Sequence, residues 1–150
     1  MLIRPATPTD IPHIRSLERQ TDTAAHWAER EYAALFAAEA PKRLALIAGG
    51  GDDVSGFLIA RCDVDEWELE NVVVAPGNRR GGIGGRLVAA LLHQAGEARA
   101  TSVLLEVRES NQPALQLYKK FGFLETGRRP KYYDNPAEDA LLLKYSVSIS

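Results

Sequence analysis

The chain has 150 residues, of which 45% are hydrophobic and 25% charged, and its formal net charge is −2. This size and composition indicate one globular domain over residues 1–150, and the charge excludes the broad basic surface of a general nucleic-acid-binding protein. No apolar run has the length of a membrane span, the N-terminus lacks a signal-peptide layout, and the lone Cys62 fits a reducing compartment, so we expect a cytoplasmic protein without membrane or nucleic-acid partners.

The first half of the chain predicts four strands and two helices. The expected strands lie between turn residues and cover 2–5, 43–48, 54–61 and 66–74. The first helix begins after the capping residues Thr7 to Asp10, and the second is expected around residues 28–39. His26 and Trp27 lie in the link between the two helices, where a substrate-facing loop could lie, although a surface histidine and a core tryptophan are the simpler interpretation.

The second half predicts two more helices and three more strands. A long amphipathic helix follows a glycine-rich segment near residue 83, and a shorter helix begins at Asn111 and ends at Gly122. The expected strands cover 102–108, 123–127 and 140–145, with a polar loop over 128–139 between the last two. Together these elements predict an α/β (α+β) fold, in which a mixed sheet of about seven strands is covered by about four helices.

The segment from Asn71 to Leu92 joins a buried strand to a helix through a glycine-rich turn. Three valines end the strand, Pro76 breaks it, and two arginines and four glycines follow. The first N–H groups of a helix have no intrahelical partner, and glycines let a phosphate approach them closely. The segment therefore predicts a pyrophosphate-binding turn, with a plain glycine-rich turn and solvated arginines as the alternative. The residues of the predicted turn are Arg79, Arg80, Gly81, Gly82, Gly84 and Gly85.

Two polar side chains in otherwise apolar elements are candidates for chemistry. Alternation along the strand 102–108 puts Glu106 on the face opposite Val103 and Leu105, where a carboxylate suits a general base. A structural ion pair with an arginine of a neighbouring strand is the alternative. Tyr118, on the inner face of the next helix, is either a core tyrosine or a proton donor, and Asn111 either caps that helix or binds a ligand.

Two segments carry a family resemblance. The run Arg79-Arg80-Gly81-Gly82-Ile83-Gly84 follows a Val-x-Pro strand end and resembles the acetyl-CoA signature of the GNAT N-acetyltransferases, Arg/Gln-x-x-Gly-x-Gly/Ala. The segment LEVRESNQPALQLYKKFGF is similar to the second GNAT landmark, a strand followed by an N-x-x-A-x-x-x-Y-x-x-x-G-F helix. With the ending PKYYDNPAEDALLL, the chain most resembles the bacterial ribosomal-protein-alanine N-acetyltransferases, over nearly its whole length.

The resemblance implies a mostly antiparallel GNAT sheet, acetyl-CoA as co-substrate and no metal. It implies direct acetyl transfer to a protein N-terminus, of the ribosomal-protein type. By position it makes Glu106 the general base and Tyr118 the general acid. It also implies cofactor contacts, with backbone bonds from the strand to the pantetheine arm, at Val72, Val73, Val74, Arg79, Arg80, Gly81, Gly82, Ile83, Gly84, Gly85 and Asn111.

The acceptor side is less closely matched to the family pattern. The resemblance places Tyr132 and Tyr133 beside the first residues of the acceptor, and Glu70 is an extra carboxylate that could bind its ammonium or share the base role. Gly85 stands where the ribosomal enzymes usually carry a basic residue. The rival hypotheses are acetylation of a small amine or a lysine side chain and a non-catalytic acyl-CoA sensor, although Glu106 and Tyr118 together argue against a sensor.

Overall fold

The computed structural model describes residues 2–20, 32, 34–36, 42–50, 53–76, 82–134 and 137–147. The strands are β1 (Leu2–Pro5), β2 (Arg43–Gly50), β3 (Asp53–Cys62), β4 (Glu66–Val74), β5 (Ser102–Arg108), β6 (Leu124–Tyr133) and β7 (Glu138–Ser146). The α-helices in these residues are α1 (Ile11–Arg19), α2 (Ile83–Glu97) and α3 (Gln112–Phe121). A 3-10 turn, Pro8–Asp10, precedes α1. Among the residues that the structure describes, no helix has the length and apolar character needed to cross a membrane.

The seven strands form one sheet in the order β1-β2-β3-β4-β5-β7-β6. Neighbouring strands are antiparallel except β4 and β5, which run parallel. The exception follows from the chain order, because α2 forms the crossover that returns the chain to the same end of the sheet. β4 is therefore the central strand, and the glycine-rich segment follows it directly.

The predicted fold class is confirmed, with differences in two regions. The helix expected around residues 28–39 lies largely outside the described residues, as do His26 and Trp27. The polar loop expected over 128–139 is wrong, because β6 continues to Tyr133 and β7 already begins at Glu138. β6 is an edge strand with mostly exposed side chains, so it lacks the apolar alternation that marks an inner strand. Its backbone pairing with β7 keeps it extended.

Hydrophobic clusters cover both faces of the sheet. On one face, which we call the α2/α3 face, Leu87 of α2 and Leu115 of α3 pack with Leu105 of β5 in one cluster. On the other, the α1 face, Ile14 of α1 packs with Phe57 of β3 in a second cluster. Because apolar side chains and helices shield both faces, a ligand reaches the middle of the sheet where neighbouring strands separate.

Candidate active site

β4 and β5 separate toward their C-terminal ends. Their register pairs run from Glu66↔Ser102 to Leu69↔Leu105, whereas the strands themselves continue to Val74 and Arg108. Within the described ranges no further register pair joins the two strands, so the sheet opens between residues 70–74 and 106–108. A concave opening at the centre of a sheet is a common position for a binding site.

A β-bulge in β4 lies where this opening begins. Leu69 and Asn71 pair with consecutive residues of β3, so Glu70 between them is an extra residue. The bulge inverts the faces of the strand, because Leu69 lies in the cluster of the α2/α3 face and Val73, four residues later, lies in that of the α1 face. The segment that borders the opening is therefore oriented differently from the rest of β4.

The two predicted catalytic side chains lie on opposite faces of the sheet. Leu105 and Val107 belong to the cluster of the α2/α3 face, so alternation along β5 places Glu106 on the α1 face, as predicted. Tyr118 belongs to the cluster of the α2/α3 face and is 5% exposed. Burial raises the pKa of its phenol well above the usual 10.0, so Tyr118 stays protonated near neutrality.

Glu106 is held by an ion pair through one carboxylate oxygen. Arg129 of β6 places Nε at 3.1 Å from Glu106 Oε1. The ion pair considered from the sequence is therefore present, although its arginine comes from the second strand along, beyond β7, rather than from an adjacent strand. The Glu106 side chain is 23% exposed, and no hydrogen bond between described residues involves its Oε2. The carboxylate is thus oriented at one oxygen and open at the other.

Tyr132 and Tyr133 lie beside this ion pair, at the end of β6. Their rings meet edge to face with centroids 5.2 Å apart. The guanidinium of Arg108 lies 4.1 Å from the centroid of the Tyr133 ring, and that of Arg129 lies 5.4 Å from the Tyr132 ring. Burial, followed by the negative charge of Glu106, raises the pKa of Tyr133. The structure thus brings the residues expected at the acceptor together with the expected base.

An irregular part of β6 positions the two tyrosines. The register between β6 and β7 shifts between Arg129 and Tyr133. Lys131, within this shift, has a φ of 50°, and its N–H donates to Asp139 Oδ1 at 3.0 Å. A non-glycine residue in this left-handed region costs on the order of 1 kcal/mol, and such strain often lies at functional sites. Composition and periodicity give no signal for it.

Three carboxylates lie near one another on the α1 face of β4 and β5. Arg43 of β2 holds both oxygens of Glu70, with Nε donating to Oε1 at 2.7 Å and Nη2 to Oε2 at 3.2 Å. Glu68 was not among the predicted site residues, yet partial desolvation raises its pKa and the charges of Glu70 and Glu106 raise it further. The alternation Glu66-x-Glu68-x-Glu70 in the sequence was the available signal. The described residues contain no His, Cys, Asp and Glu group arranged to hold a metal ion.

The start of α2 has the form expected of an anion-binding helix N-terminus. Gly82 precedes the helix with a φ of 78°, in the left-handed region that favours glycine, and as the N-cap residue it has no side chain to cap this end. The first intrahelical bond runs from the Arg86 N–H to the Gly82 carbonyl, so the N–H groups of Ile83, Gly84 and Gly85 have no intrahelical acceptor. A Cβ at Gly82 would meet no atom of the described residues within 4 Å, so this part of the structure leaves room for a ligand.

Three predicted residues of this turn lie outside the described part of the chain: Arg79, Arg80 and Gly81. Two further glycines lie inside the first turn of α2. A Cβ on Gly84 would lie 3.4 Å from Leu117 of α3 and 3.7 Å from Val74, and one on Gly85 would lie 3.8 Å from Leu117. These are ordinary van der Waals distances, so packing against α3 does not by itself require glycine at either position. The side chain of Ile83 is buried in the cluster of the α2/α3 face, which leaves its backbone for a ligand.

The remaining predicted cofactor contacts lie on both sides of the opening. Asn111 caps α3, since its Oδ1 accepts a hydrogen bond from the Ala114 N–H at 3.4 Å. The capping alternative considered from the sequence is thus present. Val72 and Val74 pack against the cluster of the α2/α3 face and Val73 against the opposite one, so these valines offer a ligand their backbone groups.

A sheet that opens beside its central strand and leads into a glycine-rich helix start is the arrangement that the GNAT resemblance implies for an acyltransferase. The sequence profile of the Acetyltransferase (GNAT) family matches residues 11–123. The chain belongs to this family of N-acetyltransferases.

Similar proteins from bacteria and archaea show which members of the family the chain resembles. The chain is 30% identical over 143 residues to the ribosomal protein bS18-alanine N-acetyltransferase of Salmonella typhimurium, with 94% of each chain covered. The crystal structure of the ribosomal-protein-S18-alanine N-acetyltransferase from Escherichia coli matches with a TM-score of 0.85 and 28% identity, over 99% of this chain and 95% of that one. The structure of Ard1 from Thermoplasma volcanium matches with a TM-score of 0.85 and 28% identity, over 98% and 97%.

Proposed function

We propose that this protein transfers the acetyl group of acetyl-CoA to the N-terminal α-amine of a protein, in the cytoplasm, by direct attack within a complex of both substrates. The observation that carries the proposal is the opening between β4 and β5 with Glu106 on one face and Tyr118 on the other. The relative from Salmonella typhimurium, 30% identical over 94% of the chain, supports an alanine N-terminus of a ribosomal protein as the acceptor.

Acetyl-CoA binding would draw mainly on backbone groups. The N–H groups at the start of α2 that have no intrahelical acceptor suit the pyrophosphate, and Arg79 and Arg80 would add charge beside them. The β4 segment from Val72 to Val74 borders the opening, and its peptide groups would bond the amides of the pantetheine arm. Asn111, at the far side of the opening, would add a side-chain amide.

The residues on the two faces divide the proton transfers between them. Glu106, through the open Oε2, would take the proton of the acceptor ammonium, directly or through water, so that the free amine attacks the thioester carbon. A β4 N–H would stabilise the oxyanion formed as the C–N bond forms. When the C–S bond breaks, the protonated phenol of Tyr118 would supply a proton to the leaving thiolate, and the proton that the acylated nitrogen then releases would restore the phenol, directly or through water.

An α-amine is an easier acceptor than a lysine for such a base. Its pKa is about 7.7–8.0, compared with about 10.4 for lysine, so far more of it is unprotonated near neutrality. Tyr132 and Tyr133 lie beside Glu106, where they would flank the first residues of a peptide.

Two matched peptides test this function. One begins with a free alanine and contains no lysine, and the other is N-terminally blocked and contains one lysine. Incubation with acetyl-CoA and mass spectrometry should show acetylation of the first peptide on its α-amine and almost none of the second. Efficient lysine modification of the blocked peptide would contradict the proposal and favour a side-chain acetyltransferase.

A further inference from the structure

The extra residue of the β4 bulge lies at the point where β4 leaves β5. Leu69↔Leu105 is the last register pair between the strands, and Glu70 follows Leu69 directly. A bulge bends a strand and increases its local twist, so it can end the pairing on one side. A bulge also lacks some of the regular backbone hydrogen bonds of the sheet. At the centre of a sheet it therefore needs other contacts to keep a single conformation.

The bulge residue Glu70 is bound by a side chain from two strands away. Arg43 of β2 reaches past β3 and binds both oxygens of Glu70, at 2.7 Å and 3.2 Å. The two side chains are 16% and 19% exposed, so solvent screens the pair less than it screens a surface ion pair. A two-point contact between a planar guanidinium and a carboxylate fixes direction as well as distance.

We propose that Arg43 and Glu70 are positioning residues that clamp the bulge, and so hold the opening between β4 and β5 in the shape that binds acetyl-CoA. This inference rests on the proposed function, because it takes the opening as the acetyl-CoA site. It gives Glu70 a role different from acceptor binding, since Arg43 already engages both of its carboxylate oxygens. Loss of the clamp then weakens acetyl-CoA binding first, rather than use of the acceptor.

Calorimetry of acetyl-CoA binding to the full chain tests the clamp. Glu70→Gln removes the charge at nearly constant size, and Arg43→Lys keeps the charge but loses the two-point contact. Each should weaken acetyl-CoA binding by about tenfold, within the range of coupled sites. The double variant should lose little more than either single variant, because the two changes remove the same contact.

Two matched controls use the same chemical changes nearby. Glu66→Gln alters an exposed carboxylate four residues earlier on β4, outside the bulge. Arg61→Lys alters the arginine that pairs in register with Arg43 but forms its ion pair with Asp63 at 3.5 Å. Both should bind acetyl-CoA within about twofold of the wild type, as expected of exposed groups with weak partners.

The outcomes separate the clamp from its alternatives. Glu70→Gln and Arg43→Lys proteins that unfold at lower temperature but bind acetyl-CoA like the wild type would overturn the clamp and leave a purely structural ion pair. A raised peptide KM with unchanged acetyl-CoA affinity would overturn it in favour of Glu70 as an acceptor ligand. If Glu70→Gln fails to fold, the acetyl-CoA affinity of Arg43→Lys decides between the clamp and these alternatives. A wild type that does not bind acetyl-CoA would instead overturn the proposed function.

Discussion

Glu106 differs from the other two carboxylates on its face of the sheet in how its oxygens are engaged. Arg43 binds both oxygens of Glu70, whereas Arg129 contacts Oε1 of Glu106 and leaves Oε2 open among the described residues. Glu68 is exposed, and it lies in the part of β4 before the bulge rather than beside the opening. A general base needs one oxygen that is both oriented and reachable, and Glu106 meets that requirement.

The first prediction therefore concerns Glu106→Gln. The variant should bind acetyl-CoA like the wild type, because the amide keeps the shape of the side chain, but turnover should fall by about a hundredfold with loss of the base. Steady-state kinetics with the alanine peptide and calorimetry with acetyl-CoA measure the two effects separately. Near-normal turnover in Glu106→Gln, together with loss of turnover in Glu70→Gln, would show that Glu70 rather than Glu106 is the base.

At the scale of single elements, the start of α2 combines an unusual backbone conformation with an open ligand side. Gly82 directly precedes the helix with a positive φ, and a Cβ there would meet no atom of the described residues within 4 Å. A second glycine of the same helix, Gly96, has open space around it too but lies in the last turn. The two positions provide the same substitution with different expected results.

The second prediction compares Gly82→Ala with Gly96→Ala. Gly82→Ala should weaken acetyl-CoA binding by about tenfold and cost about 1 kcal/mol of stability, because alanine resists the left-handed conformation and its methyl group stands before the pyrophosphate site. Gly96→Ala should leave acetyl-CoA affinity unchanged. Calorimetry and urea unfolding report the two quantities. Equal acetyl-CoA affinities in the two variants would remove this turn from the binding site.

The third prediction concerns the end of β6. Tyr133→Ala removes the ring that contacts both Tyr132 and Arg108. It should raise the KM for the alanine peptide by about tenfold, as truncation of an aromatic contact does at an interface, and leave acetyl-CoA affinity within about twofold. Peptide kinetics at saturating acetyl-CoA measure the change. A loss of acetyl-CoA affinity as large as the change in KM would place Tyr133 in the cofactor site instead.

At the scale of the whole molecule, an ion pair joins the edge of the sheet to the helix that covers its α1 face. Arg4 of β1 donates to both oxygens of Asp10, at 2.9 Å and 2.8 Å, and Asp10 directly precedes α1. Asp10 is 5% exposed. The bonds from Arg4, assisted by the Thr7 N–H, lower the pKa of Asp10 from 3.8 to about 2.

The fourth prediction follows from the sign of this change. Because folding lowers the pKa, ionised Asp10 stabilises the fold above about pH 4, and the contribution of about 2 kcal/mol is lost as the pH falls through about 2. Asp10→Asn should therefore be less stable than the wild type at pH 6, and the difference should shrink as the pH approaches 2. Urea unfolding from pH 6 downward measures it. A difference that stays constant with pH would contradict the assignment to this carboxyl.

The predictability of each part follows from the range of the interactions that form it. The strand Ser102–Arg108 and the face assigned to Glu106 were predicted correctly, because alternation of apolar residues is a local property of a strand. The end of the helix at Gly122 was also predicted, since a glycine in the left-handed region is a local stop signal. The extension of β6 through residues 128–133 was not, because an exposed edge strand owes its form to its partner.

The sequence by itself determined the element order, the family resemblance and the identity of the candidate residues, since these depend on residue type and spacing along the chain. The tertiary structure alone decided where the central sheet opens, because a bulge is a mismatch in length between two paired strands. It also decided that Arg129 orients Glu106 and that Arg43 holds Glu70, because these partners come from strands that are distant in the sequence. Register between such strands is set by packing and backbone pairing, which no local pattern records.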